Sequence, residues 1–501
     1  MKKIYSFIVA AVAMIAAASC NKVVLSENVF GDNVVAFTAS FDGVGTKVKL
    51  EGGKSKWETT DKITIHNGTD GFVFNAAQSG ESVSFLYDNS NEDFSGNKFI
   101  AVYPAGNHTV DIENKTILAN IPTFQEAVKE SFNKSAALAI AHTEDDHLDF
   151  KNATTLLKFT IKSSNIKAVE FYGNNSEPIS GDMLISLNED NSIGTMTGQK
   201  TMIDGKSQFG TWVKIYGTAA KNFYLENGAT YYLPIAPATF TKGVSMNVLV
   251  DEGEVKVEKF KTITTEQIFK PNDVIDLGII EEKKIYLAQG IWADANAWVF
   301  AHFVGDNDWT EDRRMTDSDG DGILEVSVPY RAKEVIFVRK NPSNQNVNWD
   351  DKWNESNKLT LPTNSNNCYV INDWNAMAWT TLSTARSRML YLKPGTNWKQ
   401  SSPRFAAYFF IKNSTNTWRS MTDYNGDGIY EVYKPTTSSF NMVIFCRMNP
   451  AFTTNSWDAD GNDYLWNQTG DLTIPTNGNN LFTVANSSWD GATTTWSKKT
   501  F

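Results

Sequence analysis

The C-terminal part of the chain writes one stretch twice, from Tyr286 to Trp379 and again from Tyr391 to Trp496. Met315 falls on Met421, Asp319-Gly320-Asp321-Gly322-Ile323 on Asn425-Gly426-Asp427-Gly428-Ile429, and Glu325 on Glu431. Further on, Val335-Ile336-Phe337 answers Val443-Ile444-Phe445, and Trp349-Asp350 answers Trp457-Asp458. The offset grows from 105 at Tyr286 and Tyr391 to 113 at Leu359 and Leu472, so insertions have collected between blocks that kept their order. Two copies of one small domain explain this pattern. Of the 15 Trp, only Trp57 and Trp212 precede residue 286. That is more indole than two small cores need, and some of the rings are expected to face a ligand.

At 501 residues the chain is too long for one core and should divide into roughly three to five domains. A net charge of -11, from 46 Lys+Arg against 57 Asp+Glu, argues against nucleic acid as a partner, because no basic excess offsets phosphate repulsion. Uncharged polymers remain open. Lys2 and Lys3 followed by the apolar run Ile4 to Ala18 form an export signal too short to span a membrane. Its end, Ala17-Ala18-Ser19-Cys20, resembles a bacterial lipobox and marks Cys20 as the lipidated residue. Acylation there would make membrane contact through a lipid anchor only. Cys368 and Cys446 align with Leu481 and Val338, which assigns them as small buried hydrophobes.

Period-two alternation dominates residues 34–280: Phe37, Ala39 and Phe41, then Ile63 and Ile65, with Asp42-Gly43, Gly52-Gly53 and Asn67-Gly68 as turns between strands. Val48 and Leu50 predict a further strand, and Ser131 to Ala141 is the one helical candidate. The fold class expected is all-β, four β-sandwich domains in tandem. The expected bounds are a signal peptide 1–19, an acylated linker 20–34, sandwiches over 35–165 and 166–281, and repeats over 282–383 and 387–501, with a linker at Ser383 to Ser387.

The first half resembles the fimbrillin-like lipoproteins of Bacteroidetes. The likeness is carried by Ala36-Phe37-Thr38-Ala39-Ser40-Phe41, Trp57-Glu58-Thr59-Thr60-Asp61-Lys62-Ile63, Ala101-Val102-Tyr103-Pro104-Ala105 and Tyr231-Tyr232-Leu233-Pro234-Ile235. The resemblance implies two β-sandwiches behind an outer-membrane lipid anchor, in a family of pilus subunits and other surface proteins. The best-known pilins of that family mature by cleavage after Arg, and no Arg precedes Arg313 here. That argues against the Arg-dependent assembly route.

In each repeat the order of strand, aromatic residue and Trp-Asp loop resembles the small starch-binding modules of families 25 and 26. Carried over residue by residue, the resemblance implies a ligand set of His302, Trp309 and Trp349 in the first copy and Tyr408, Trp418 and Trp457 in the second. The physical reason stands apart from the family: a pyranose presents an apolar face of C–H groups, which a flat indole covers. Sugar hydroxyls need donors and acceptors at the ring edge, for which Arg339, Asn341, Asp350, Arg447, Asn449 and Asp458 are suitably placed in sequence. Trp353, Trp374, Trp466 and Trp489 come after these as candidates.

Asp317, Asp319 and Asp321, and likewise Asp423, Asn425 and Asp427, fit the opening of a calcium loop. Val328 and Lys434 stand where the closing Glu would, Glu325 and Glu431 are nearer alternatives, and a Gly-Asp-Gly between strands is also a good hairpin turn. Structural calcium is therefore the one cofactor to expect, if any. No catalytic signature occurs, and the lone His of the repeats, His302, is answered by Tyr408. The expectation is a non-catalytic outer-membrane lipoprotein on the cell surface that binds a polysaccharide or oligosaccharide of starch type. The alternative is a fimbrial tip or accessory subunit whose repeats contact a partner protein.

Overall fold

The computed structural model describes residues 33–41, 56–90, 94–203, 205–251, 254–293, 297–341, 349–459, 461–490 and 495–500. Cys20, Val48 and Leu50 lie outside them. The chain is all-β and forms two compact units, Met1–Glu281 and Glu282–Phe501. Among the described residues no helix is long and apolar enough to cross a membrane.

In the first unit, seven strands close into a barrel. Val34–Phe41 pairs antiparallel with Ser82–Asp88 and parallel with His147–Asn152, which joins the two edges. The alternation read from sequence explains the filling: Phe37, Phe74, Phe85 and Phe150 point inward on neighbouring strands, and Phe85 and Phe150 pack against Trp57. The expected boundary at 165/166 is not where the strands part. Thr116–Ile121 pairs with Gly181–Leu187, and Phe124–Glu126 with Trp212–Tyr216, so chain from before the boundary completes sheets made after it. Ser131 to Ala141 holds one 3-10 turn, Lys134–Ala136, and then enters the strand Ala139–Thr143. Ala-rich composition gave way there to sheet pairing with Phe99–Tyr103.

The second unit holds the repeats, and both have one topology. In the first, a four-stranded sheet (Leu324–Ser327, Lys284–Ala288, Cys368–Asp373, Ala376–Thr380) faces a larger sheet built on Thr310–Arg314, Trp298–Gly305, Ala332–Lys340 and Lys352–Glu355. In the second, the corresponding strands are Tyr430–Tyr433, Met389–Lys393, Leu481–Thr483 and Trp496–Ser497 against Asn416–Met421, Arg404–Phe410, Met442–Met448 and Leu465–Gln468. Trp292 and Trp398 are fully buried at matching places in the two cores. A further apolar cluster containing Ala288, Ile323, Cys368, Val370, Met389, Tyr391 and Tyr433 draws on both copies and packs them together. The expected linker at Ser383 to Ser387 belongs to this junction. Leu382–Arg386 is a helical turn capped by the Thr381 side chain, with Ala385 buried in the cluster. Cys368 and Cys446 are free and buried, and burial pushes the Cys368 thiol up to about 12.

Candidate functional site

Strand Arg404–Phe410 shows how the second repeat builds an aromatic face. Phe405, Ala407 and Phe409 point into the core, and by the two-residue period Ala406, Tyr408 and Phe410 point out. The neighbouring strand sets Trp418 directly opposite Tyr408. Trp457 closes over both from the loop after Met442–Met448, with ring centroids 5.0 Å from Tyr408 and 4.8 Å from Trp418. Tyr408 and Trp418 are 4.9 Å apart, and Phe410 continues the row at 5.6 Å. All four rings are half-buried. They pack on a thin layer of Ala406, Ile444, Cys446 and Met448 on the outer side of the sheet, not in the main core. Rings inclined at 56° to 68° make one angular cleft rather than a flat step. Beside it, Arg404 donates to Asn455 Oδ1 and to the Thr454 carbonyl, and Asn455 donates to Ser420, which holds the Trp457 loop down. Arg404, Ser420 and Asn455 were absent from the sequence reading, since only strand register shows that they share this face.

In the first repeat the same face has other chemistry. His302 stands where Tyr408 does, but the residue opposite is Asp312, whose carboxylate lies 2.6 Å from His302 Nδ1. The register therefore pairs Trp418 with Asp312, not with Trp309. Trp309 lies outside the strand at the hairpin turn, half-buried against the core cluster, with the Arg331 guanidinium 4.7 Å from its ring. The sequence match failed because the two hairpins differ in length. Trp298 and Arg314 stack at 3.9 Å on the same face. Asp350 is exposed in the turn Trp349–Asp351, while the Trp349 side chain lies outside the described residues.

Arg339 and Arg447 do not join these faces. They alternate with the outward Ile336, Val338, Ile444 and Cys446, and so point to the core side. Arg447 is buried there, donating to the carbonyls of Trp398 and Gln400 and to Asn467 Oδ1. Trp466 and Trp489 flank its guanidinium at 4.5 and 5.6 Å. Arg339 is half-buried, bonded to Asn354 and 5.0 Å from Trp353. Both hydrogen-bond within the fold, on the side of the sheet away from the ring cleft. Asp458 accepts from the Leu465 amide and shapes the Trp457 loop. Among the described residues the most exposed indoles are Trp353, Trp374 and Trp489, at 43%, 52% and 45%.

Both Asp-Gly loops are tight hairpin turns. Asp317 accepts from the amides of Gly320, Asp321 and Gly322, and Asp423 from those of Gly426, Asp427 and Gly428. The loops come together between the repeats. A Cβ on Gly322, which also has φ +75°, would stand 2.6 Å from Glu431 Cβ. In the first loop the Arg386 guanidinium donates to Asp319 and Asp321. In the second, Lys499 Nζ lies 3.7 Å from both Asp427 and Glu431 and donates to the Gly320 carbonyl. Burial, and after it the carboxylates of Asp317, Asp423 and Asp427, push Glu431 up to about 9 against the pull of Lys499.

No protein-family model matches the chain, and no curated protein matches it. Solved structures do. A Bacteroides uniformis protein assigned to cell adhesion is 17% identical, with 50% of this chain and 93% of that one covered at a TM-score of 0.31. A Bacteroides ovatus protein with the same assignment is 13% identical, covering 48% and 92% at 0.29. The tip fimbrial protein Mfa3 of Porphyromonas gingivalis is 7% identical, covering 56% and 98% at 0.23. At these scores the likeness says nothing of the site, whose chemistry rests on the geometry above.

Proposed function

We propose that the protein is a non-catalytic adhesin of a bacterial surface, lipid-anchored at Cys20, whose second repeat makes contact through Tyr408, Trp418 and Trp457. The carrying observation is that these three rings meet on the outer side of a sheet and stay half-exposed over the small apolar layer they cover. Exposed apolar patches of this kind mark binding sites. Cell adhesion is also the role assigned to the Bacteroides proteins named above, and it is extended to this chain as part of the proposal.

The partner class proposed is a saccharide, most simply a starch-like α-glucan. The cleft offers apolar ring faces for C–H groups, and Arg404, Asn455 and Ser420 line its polar edge for hydroxyls. The test is retention of the full chain by starch and maltooligosaccharides, and on a broad glycan panel, beside Trp418→Ala and Trp457→Ala. Binding that fails on every glycan, or that both variants leave untouched, removes the saccharide.

A second reading, a fimbrial tip or accessory subunit with a protein partner, draws on the strand Val255–Ile263. It lies at the edge of its sheet, and Val255 and Val257 are exposed. A strand at the edge of a sheet can accept a strand from another chain. Strand-linked polymers from cells that disappear with Val257→Lys would favour this reading; an acylated protein that stays monomeric would count against it.

A further inference from the structure

We propose that Asp423, Asp427 and Glu431 hold a calcium-type divalent cation at the junction of the two repeats, and that the matching loop of the first repeat does not. One oxygen from each of the three carboxylates lies within 4.8 Å of the others. That is the spread allowed to ligands each about 2.4 Å from a single calcium ion. A cluster of acids would not by itself indicate a site, but Glu431 adds an independent observation. Its side chain is 0% exposed, and among the described residues neither carboxylate oxygen has a hydrogen-bond partner. Buried carboxylates are ordinarily hydrogen-bonded, paired or bound to metal. The nearest positive group, Lys499 Nζ, stays 3.7 Å away and gives a proton to the Gly320 carbonyl instead. Three carboxyl groups thus gather around one ammonium, and a divalent ion would supply the partner that the two Glu431 oxygens lack.

The hairpin supplies the rest of the geometry. Asp423 takes loop amides on both of its oxygens, while Asp427 takes one on Oδ1 and its Oδ2 lies 3.7 Å from Lys499 Nζ. Asn425 Oδ1 accepts from the Asp427 amide and steadies the turn. Glu431 comes from the strand after the turn, so ion binding would tie the loop to strand Tyr430–Tyr433 and, through it, to the first repeat's loop against which it packs. In that first loop Asp317, Asp319 and Asp321 are equally close to one another. There the Arg386 guanidinium bridges Asp319 and Asp321 and occupies the place an ion would need. Glu325, the counterpart of Glu431, is engaged by Ser318 and Lys284. The duplicated loops have therefore met the same excess of acid in two ways, one with a guanidinium and one with a site for a metal.

The experiment is calorimetric titration of the chelator-stripped full chain with calcium chloride, with terbium luminescence as a second readout and thermal melts with and without calcium. One ion per chain is expected, with a dissociation constant of about 10⁻³ M or tighter, and a melting temperature that rises with calcium concentration. Glu431→Gln should weaken uptake at least tenfold and abolish the calcium-dependent rise, while melting in chelator close to the native temperature, because Gln keeps the size and shape of the carboxyl it replaces. Asp427→Asn, at a more exposed ligand, should weaken uptake without loss of folding. No uptake at millimolar calcium, two ions per chain, or affinity within twofold of the native value in both variants would overturn the proposal.

Discussion

The two repeats share a frame and differ in what they do with its surface. Core-facing positions of the central strand correspond in kind, Val299 with Phe405, Ala301 with Ala407 and Phe303 with Phe409, and each core closes on a buried Trp. Outward positions of the same strands do not. Trp298 is answered by Arg404, His302 by Tyr408, Asp312 by Trp418 and Arg314 by Ser420. A two-residue period lets one strand obey both rules, since adjacent side chains never share a face. Packing fixes one face, and the other is free to change its chemistry. One copy has thereby acquired an aromatic cleft and the other a charged surface.

The shared frame makes the largest prediction. Trp292→Ala and Trp398→Ala should each cost about 3–5 kcal/mol, because each leaves a large cavity in a core that cannot collapse. Trp398 should cost about 1 kcal/mol more, since its Nε1–H donates to the Trp489 carbonyl at 3.0 Å while Trp292 Nε1 has no acceptor among the described residues. Denaturant titration followed by Trp fluorescence measures both, and a loss confined to one copy would break the equivalence of the cores. Next comes the junction. Arg386→Ala should cost about 2–3 kcal/mol, as Asp321 is buried and loses its cation; the usual figure for breaking a buried pair is discounted because Arg386 is about one-third exposed. An unchanged midpoint in chelator would mean that the guanidinium is not what balances the first loop. A smaller contrast follows for the paired arginines: about 2 kcal/mol for Arg447→Ala against about 1 kcal/mol for Arg339→Ala, in proportion to their burial and charged hydrogen bonds. Equal losses would show that the two ends of the sandwiches are built alike after all.

Much of this was legible in the sequence, and the exceptions share a cause. Alternation located the strands Val34–Phe41 and Lys62–His66, because it depends only on neighbours along the chain. The closing of seven strands into a barrel did not show, nor did Thr116–Ile121 crossing to Gly181–Leu187, since both depend on pairing across long separations. The same holds at the candidate site. Tyr408, Trp418 and Trp457 could be chosen as a set from one repeat's order, and the structure brings them together. Arg447 looked like a sugar donor from its position beside the strand, but counting faces from Phe445 would have placed it on the core side. Trp309 was matched to Trp418 by residue type where register matched Asp312. Arg386 and Lys499 carried no signal at all, being cations far from the loops they meet.

The smallest effect decides what the diverged face is for. If Tyr408, Trp418 and Trp457 form the contact surface, Trp418→Ala and Trp457→Ala should each weaken binding of the saccharide or partner surface about tenfold, equivalent to about 1.4 kcal/mol and within the range of one aromatic contact. Stability should fall less than for Trp398→Ala, because the rings rest on a thin outer layer and are half-exposed. His302→Ala and Trp309→Ala, in the copy where a His302–Asp312 pair stands at the matching place, should leave binding within about twofold, below what one aromatic contact contributes. Affinity electrophoresis of the full chain separates these outcomes. Equal losses from variants in both repeats would mean that the ligand spans the two copies, and the contrast between the faces would then describe two halves of one site. Loss only from the second repeat would leave the first as a spacer that keeps the frame and has given up the contact.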